Sequence, residues 1–227
     1  MSSLKPPPWD YRVIEKLLSN QRMSSYRKAA KNDLFRSFEL YEWNMQASAG
    51  VLQTVGMVEV LARNAMDTHL TKWAIDRGET SWFESAPLDQ KGTSDLHIAA
   101  SRATRSKTLP SHGKIIAELS LGFWRYLVAS RYLTTLWIPA LSNGFPNGPA
   151  DISKRRACVE SHMDRLTFVR NRAAHHEPLH RRDLQQDLHS AVELARCIHV
   201  DAANWVSAKS PLSEIISAMP HIERRKR

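Results

Sequence analysis

The chain has 227 residues, of which 42% are hydrophobic and 24% are charged, a composition typical of a soluble globular protein. Its formal net charge is +9, and such a basic balance favours a polyanionic partner, nucleic acid before membrane. No stretch approaches the roughly 18 uncharged apolar residues of a membrane span, and the opening residues lack the apolar run of a secretory signal. We therefore expect a cytoplasmic protein with no membrane partner.

The cysteine content also favours a cytoplasmic protein. Cys158 and Cys197 are the only cysteines, and no metal-binding or redox spacing surrounds them. Two thiols in a chain of this length indicate a reducing compartment rather than a disulfide scaffold. We expect neither a cofactor nor a bound metal.

The first third of the chain predicts helices. A proline-rich leader precedes two short helices, the first of them capped by Asp10. A long helical pattern then begins at 32–33 and stops at Gly78. Gly50 and Gly56 are candidate break points within it, because glycine costs about 1 kcal/mol in a helix interior.

The middle of the chain is less regular. Residues 78–94 have little periodicity and predict a loop, after which Ser94 or Asp95 opens a helix. A further helix is predicted over 111–127. The apolar stretch that follows should bend or end at Pro139.

The last third again predicts helices. Asp151 or Ser153 caps a helix that should end at 175–177, because Pro178 cannot donate an amide. A closing helix is predicted from Asp183 to Trp205, and a final short helix over 211–219. We find no internal repeat and no convincing β-hairpin, so the pattern predicts an all-α protein.

Residues 168–178, with the sequence FVRNRAAHHEP, concentrate the polar chemistry of the chain. Arg170 and His175 are five positions apart, which places them about 140° apart on a regular helix. They can share one site only if the last helical turn loosens or if a second copy of the chain brings its own pair.

The residue types in this segment suit phosphodiester chemistry. A guanidinium is a planar fork of charged donors that matches phosphate oxygens. An imidazole can give or take a proton near neutral pH. Together they supply the charge stabilisation and proton transfer that metal-free phosphodiester cleavage needs. The alternative is that a helix C-terminus simply prefers cationic side chains because of its dipole.

The segment Arg170–His175 also resembles the R-x4-H motif of the HEPN ribonuclease superfamily. Three upstream segments, VEVLARN at 58–64, ELSLGFWRYL at 118–127 and LWIPAL at 136–141, are similar to its Abi-like branch, the bacterial abortive-infection proteins. The resemblance covers roughly residues 35 to 200. It implies an all-α HEPN-type helical bundle, here with additional N-terminal helices, that forms a homodimer and cleaves RNA without a metal.

The resemblance further implies a role for each motif residue. An RNA 2′-hydroxyl attacks the neighbouring phosphorus to give a 2′,3′-cyclic phosphate, with His175 moving the proton. Arg170 holds the phosphate, and Asn171 positions one of the two. Arg172 and His176 support RNA binding or serve as backup. The family context implies a role in bacterial defence or a toxin–antitoxin system, with an antitoxin or regulatory protein as a further partner.

Other residues are candidates for supporting roles. Arg63 and Asn64 repeat the Arg-Asn dipeptide, and Asn64 or Arg63 is expected to buttress the motif helix. Glu118 is a candidate for orienting the motif arginine, or is simply exposed. Arg125 is a candidate phosphate contact, and Glu177 adjoins the motif histidines.

The aromatic segment at 123–126 has two interpretations. Aromatic residues interleaved with arginine can stack RNA bases. Phe123 shares a helical face with Leu119 and Leu127, however, which is typical of core. We favour burial of Phe123 and Trp124 in a core or dimer interface.

Two other function classes stay open. The first is a non-catalytic RNA-binding or interaction module of the same fold. The second is a metal-dependent hydrolase built on His175, His176, Glu177 and His180, for which no second cluster supplies the missing ligands. The basic tail 224–227 is either a solvated end or a source of salt-sensitive RNA affinity.

The expected organisation has three parts. Residues 1–32 form a leader with short helices, 33–207 form the HEPN/Abi-like helical domain, and 208–227 form a short helix and the basic tail.

Overall fold

The structure, a computed structural model, describes residues 8–104 and 111–221. It is 76% helical, and no strand is present in the described residues. The predicted all-α class is therefore confirmed. None of the helices in these two ranges combines the length and the apolar content that crossing a membrane requires.

Eleven α-helices are numbered here in chain order over the described residues. They are α1 (Tyr11–Leu18), α2 (Asn20–Ala29), α3 (Leu34–Ile75), α4 (Trp82–Ser85), α5 (Gln90–Ala103), α6 (His112–Glu118), α7 (Leu121–Leu127), α8 (Ile152–Ala174), α9 (Leu184–Ile198), α10 (Val200–Lys209) and α11 (Leu212–Ser217). Between α7 and α8 lie two 3-10 turns, Ser130–Tyr132 and Leu141–Gly144, and a π-helical turn, Leu133–Trp137.

The 42-residue α3 is the central element of the fold. Asp33 caps it by accepting a hydrogen bond from the Arg36 amide at 2.9 Å. The helix runs unbroken through Gly50 and Gly56, so the candidate break does not occur. At Gly50 a Cβ would lie 2.6 Å from Cδ1 of Ile215, so glycine lets α11 pack directly on α3 and this contact offsets its low helix propensity.

The core forms where α3, α8 and α9 pack against one another, with α10 and α11 closing around α9 and α3. Val51 and Val55 of α3, Met163 and Leu166 of α8, and Leu194 of α9 are all buried there. Burial of a large aliphatic side chain contributes roughly 1.5–3 kcal/mol. These contacts hold α8, which carries the motif, against α3 and α9. The proposed division at residues 33 and 207 stays a prediction.

The predicted loop over 78–94 is wrong in part. It contains α4, and α5 begins at Gln90 rather than at Ser94 or Asp95. The reason is local, since the Asp89 carboxylate accepts from the Gly92 amide at 3.0 Å and caps the helix early.

Two predicted helices are each divided in the structure. The helix expected over 111–127 is split into α6 and α7, because Ser120 leaves the helical conformation and caps α7 through the Phe123 amide. The closing helix is interrupted at His199, which is extended, with φ −158° and ψ 146°, and caps α10. In both cases a side chain able to cap provides a new start within an apolar pattern that continues across the break.

Candidate functional site

The motif lies at the C-terminal end of α8. Asp151 caps the helix by accepting a hydrogen bond from the Lys154 amide at 2.7 Å. Of the two caps that the sequence predicted, Asp151 and Ser153, the structure has the first. Its buried side chains recur every three to four residues, which defines one inward face: Val159, Met163, Leu166, Val169 and Ala173. This face packs on α3 and α9, and the motif residues off it are turned outward.

The helix stays regular to its end. The His175 amide donates to the Asn171 carbonyl at 3.0 Å, an ordinary helical bond. His176 then adopts a left-handed conformation with φ 54°, which ends the helix within the predicted range. The last turn is not loosened, so Arg170 and His175 remain about 140° apart around α8. One chain alone therefore does not bring the two side chains together.

Both side chains are nevertheless exposed to solvent. The Arg170 guanidinium donates to Oδ1 of the exposed Asn171 at 3.4 Å. The His175 imidazole has no hydrogen bond or ion pair to any described residue, and both of its nitrogens are open to a ligand. The motif thus presents a guanidinium, an amide and an imidazole at one helix end.

A carboxylate that the sequence did not single out lies near Arg170. Burial raises the pKa of Glu59 on α3, while the charges of Arg170 and Arg63 and a hydrogen bond from the Leu121 backbone lower it. Glu59 on α3 is therefore near enough to the motif arginine on α8 for their charges to interact. Glu118, the candidate for this role, is exposed on α6 and contacts no charged partner among the described residues. Glu59 could be identified as a neighbour of Arg170 only from the packing of α3 against α8, because the two residues are far apart in sequence.

The supporting candidates on α3 are in different environments. Arg63 is half-buried beside Glu59, and its expected role in buttressing the motif helix stays a prediction. Asn64 is exposed, and its carbonyl accepts from the Thr68 hydroxyl at 2.8 Å. Of the two residues, only Arg63 is partly withdrawn from solvent.

The turn after the motif is tightly held. Arg172 pairs with Glu177 at 3.0 Å and donates to the Pro178 carbonyl at 3.0 Å. Asn44, fully buried on α3, accepts from the Leu179 amide at 2.6 Å and donates to the Glu177 carbonyl at 3.4 Å. Arg172 and Glu177 therefore fix the turn that follows His175.

The turn is also tied to the N-terminal helices. The guanidinium of Arg22 on α2 donates to the His176 carbonyl at 2.7 Å. His180 is buried, with its Nε2 atom 2.9 Å from the Ser25 hydroxyl and its ring against Tyr26. Burial lowers the pKa of His180 to about 4, so it is neutral at physiological pH. The His176 side chain remains exposed.

The aromatic segment of α7 is core, as favoured. Phe123 and Trp124 are buried and pack against Trp82. Arg125 is partly exposed, but its guanidinium pairs with Asp164 of α8, with Nη2 to Oδ2 at 3.1 Å. Phosphate binding by Arg125 would have to compete with this carboxylate.

An aromatic residue that is exposed near the motif is Phe168 on α8. It is 54% exposed, and the guanidinium carbons of Arg172 and Arg182 lie 5.8 and 4.8 Å from its ring centre. Arg182 is held by a bidentate contact to the buried Asp187 at 2.6 and 2.7 Å. Phe168 is seven residues before His175, which places both on the same face of α8, about 10 Å apart along the axis.

The histidine-rich segment is dispersed in space. His180 contacts Ser25 of α2, and Glu177 forms an ion pair with Arg172. Within residues 8–104 and 111–221, no group of three or more His, Cys, Asp or Glu side chains is placed to hold a metal ion. The basic tail 224–227 lies outside the described residues.

No family model, no curated protein and no solved structure matches this chain.

Proposed function

We propose that the protein is a metal-independent endoribonuclease of the HEPN type and Abi-like branch. The observation that carries the proposal is the exposed end of α8, where the Arg170–Asn171 pair lies one turn from a His175 imidazole that has no partner among residues 8–104 and 111–221. The net charge of +9 supports RNA as the substrate. Phe168, flanked by two guanidiniums on the face of His175, is suited to stacking a base.

The proposed reaction begins with attack of an RNA 2′-oxygen on the adjacent phosphorus. The bond from phosphorus to the 5′-oxygen breaks, which leaves a 2′,3′-cyclic phosphate and a 5′-hydroxyl. His175 transfers the proton between these two oxygens. Arg170 stabilises the charge on the phosphate oxygens, and Asn171, within hydrogen-bonding distance of it, orients the guanidinium.

The active form in this proposal is a homodimer, because a regular α8 keeps Arg170 and His175 of one chain apart. A stripe along α3, exposed at every position except the partly buried Gly56, is suited to the contact between chains: Met45, Ala49, Leu52, Gly56 and Val60. No described atom lies within 4 Å of a Cβ at Gly56, so a second helix has room to approach closely. The stripe begins and ends next in sequence to residues near the motif: Met45 follows Asn44, which contacts the turn after the motif, and Val60 follows Glu59, which lies near Arg170.

The biological setting is proposed on the family resemblance. A cytoplasmic ribonuclease acting in bacterial defence, or as the toxin of a toxin–antitoxin pair, needs restraint until it is triggered. We accordingly propose an antitoxin or regulatory protein as a further partner.

The test is cleavage of total RNA by the full chain in EDTA. Arg170→Ala and His175→Ala should each lower cleavage by about 100-fold or more. His97→Ala and Arg102→Ala, exposed residues of α5, are the matched controls and should cleave normally. The intact protein should leave 2′,3′-cyclic phosphate ends.

Mixing the two inactive variants tests whether sites form across the dimer. A mixed dimer of Arg170→Ala and His175→Ala chains has one intact Arg–His combination, and half of randomly mixed dimers are of this kind. About a quarter of normal cleavage should therefore return. No recovery would mean that each site draws both residues from one chain or needs all four.

The interface has its own test in sedimentation. Leu52→Asp should yield monomers and abolish cleavage, whereas Leu17→Asp, at an exposed position on α1, should leave both unchanged. A Leu52→Asp dimer would move the interface elsewhere. RNA binding without any cleavage, unaffected by Arg170→Ala, would instead support the non-catalytic binding module.

A further inference from the structure

A cleft lies beside the turn after the motif, between α3, α11 and the start of α9. Its volume is about 410 Å³, within the range of roughly 300–1,000 Å³ that small-ligand sites occupy. The residues that line it are Trp43, His180, Arg181, Arg182, Asp183, Leu184, Gln185, Ile216 and Met219. A cleft near the lower end of that range has room for a ligand of about the size of one nucleotide.

The apolar part of the lining is suited to a planar ring. Its four residues are buried or partly buried: Trp43, Leu184, Ile216 and Met219. The Trp43 indole is fixed, since its Nε1 atom donates to the Ile215 carbonyl at 2.7 Å. The thioether of a methionine such as Met219 makes favourable contacts with aromatic rings. This part of the cleft can therefore accept a nucleic-acid base.

The polar part of the lining is suited to a phosphate. Arg181 is exposed and has no hydrogen bond or ion pair to any described residue. The Nε and Nη2 atoms of Arg182 donate to the buried Asp187 at 2.6 and 2.7 Å, which leaves its Nη1 atom for a further acceptor. Asp183 is the one carboxylate among the lining residues, and it caps α9. Two guanidiniums against one carboxylate favour an anion.

The cleft adjoins the exposed ring of Phe168. The Arg182 guanidinium lines the cleft and lies 4.8 Å from the Phe168 ring centre. It therefore stands between a base on Phe168 and a base in the cleft, where the phosphate that joins two nucleotides would lie. His180 also lines the cleft. Its Nε2 atom is 2.9 Å from the Ser25 hydroxyl, and its Nδ1 atom, which bonds no described residue, is available to the edge of a base.

We infer that this cleft binds one nucleotide, with its base against Ile216 and Met219 and its phosphate on Arg181 and Arg182. The same chemistry is offered by a nucleotide of an RNA strand and by a free mononucleotide. The strand is the source that the contact between Arg182 and Phe168 favours. As a subsite for an RNA strand, the cleft rests on the proposed function. As a site for a free mononucleotide, it does not.

The experiment measures binding of two probes to the full-length chain. The first is a fluorescein-labelled, 2′-O-methylated oligoadenylate, followed by fluorescence anisotropy. Because its 2′-oxygens are blocked, the proposed reaction cannot cleave it. The second is adenosine 5′-monophosphate, followed by isothermal titration calorimetry. Urea unfolding of each variant shows whether its fold is intact.

Charge at the cleft is tested by two matched pairs of variants. Gln185→Glu places a negative charge beside the phosphate position and should weaken oligoadenylate binding about 5-fold. Gln90→Glu, the same change at an exposed glutamine in the first turn of α5, should bind normally. Arg181→Ala should reduce the slope of log affinity against log salt concentration by about 0.7, the contribution of one phosphate contact. Arg102→Ala, at an exposed arginine of α5, should leave this slope unchanged.

The base position is tested by Met219→Ala. This variant should weaken oligoadenylate binding by about 2- to 10-fold, because the contact between the thioether and the base is lost. Its slope against salt concentration should stay that of the native protein, since no charge is removed. A changed slope with unchanged affinity at low salt would contradict the placement of the base.

The two probes separate the sources of the nucleotide. Weaker oligoadenylate binding in Gln185→Glu, Arg181→Ala and Met219→Ala assigns the cleft to an RNA strand. Weaker binding of the mononucleotide alone assigns it to a free nucleotide. If neither probe binds the native chain, or neither responds to these variants, the inference is wrong. Cleavage that depends on Arg170 and His175 would still stand in that case, so the two failures are distinguishable.

Discussion

Acidification should unfold the protein partly through one buried histidine. His180 lies just after the motif turn, with its ring against Tyr26 and its Nε2 atom 2.9 Å from the Ser25 hydroxyl. Burial, and secondarily the charge of Arg181, lowers the pKa of His180 from 6.5 to about 4. Protonation of this ring in the folded state therefore costs more than it does in the unfolded chain.

The sign and size follow from linkage. Because the folded-state pKa is depressed, the stabilisation is fully present above pH 6.5 and is lost as the pH falls through about 4. Each pH unit between the two pKa values is worth about 1.4 kcal/mol, so the full loss is about 3 kcal/mol. Since His180 is only 8% exposed, solvent screening reduces this figure little.

The assay is urea unfolding at several pH values between 7 and 4 for the native protein and His180→Gln. Glutamine keeps a hydrogen-bonding group toward Ser25 but does not titrate. The native protein should lose about 3 kcal/mol more than the variant over this range. His97→Gln, a change at an exposed histidine of α5, should follow the native protein. A free-energy difference between native and His180→Gln that stays constant with pH would refute the reasoning.

Three further predictions concern packing, backbone and RNA. Asp187→Asn should lower the free energy of unfolding in urea by about 3 kcal/mol, because two arginines lose a buried carboxylate partner. Asp164→Asn, at the exposed carboxylate that pairs with Arg125, should lower it by under about 1 kcal/mol. Equal losses in the two variants would contradict this. Gly50→Ala should lower the Tm because its Cβ meets α11. Gly113→Ala on α6, where a Cβ meets no described atom outside its own helix within 4 Å, should raise or maintain the Tm, and the reverse order would contradict the packing of α11 on α3. Phe168→Ala should weaken binding of a single-stranded RNA by about 5- to 100-fold in fluorescence anisotropy, with unchanged stability; unaltered affinity would remove the stacking role.

Much of the fold could be predicted because its signals are local. Asp10, Asp33, Asp151 and Asp183 each cap the helix predicted to follow them, since a cap needs only a side-chain acceptor and an amide two or three residues later. The misplaced boundaries have local causes too. Asp89 capped α5 earlier than the apolar pattern began, because capping and hydrophobic periodicity are separate signals.

The candidate site could be predicted only in part. The motif residues and the end of α8 follow from Pro178 and helical spacing, and the exposure of Arg170 and His175 agrees with their polar character. The sequence could not choose between a loosened last turn and a regular one. That choice depended on the anchoring of the turn by Asn44, a residue distant in sequence whose role is visible only when α3 packs beside α8.

By itself, the sequence determined the all-α class, most helix starts and the chemistry concentrated at 168–178, because these depend on interactions between residues a few positions apart. Tertiary structure alone decided that Glu59 lies near Arg170 and that Arg125 pairs with Asp164. Each of these pairs joins two helices, and its geometry is set by how their apolar faces pack. Packing of that kind follows from shape complementarity across the whole core, which no local pattern specifies.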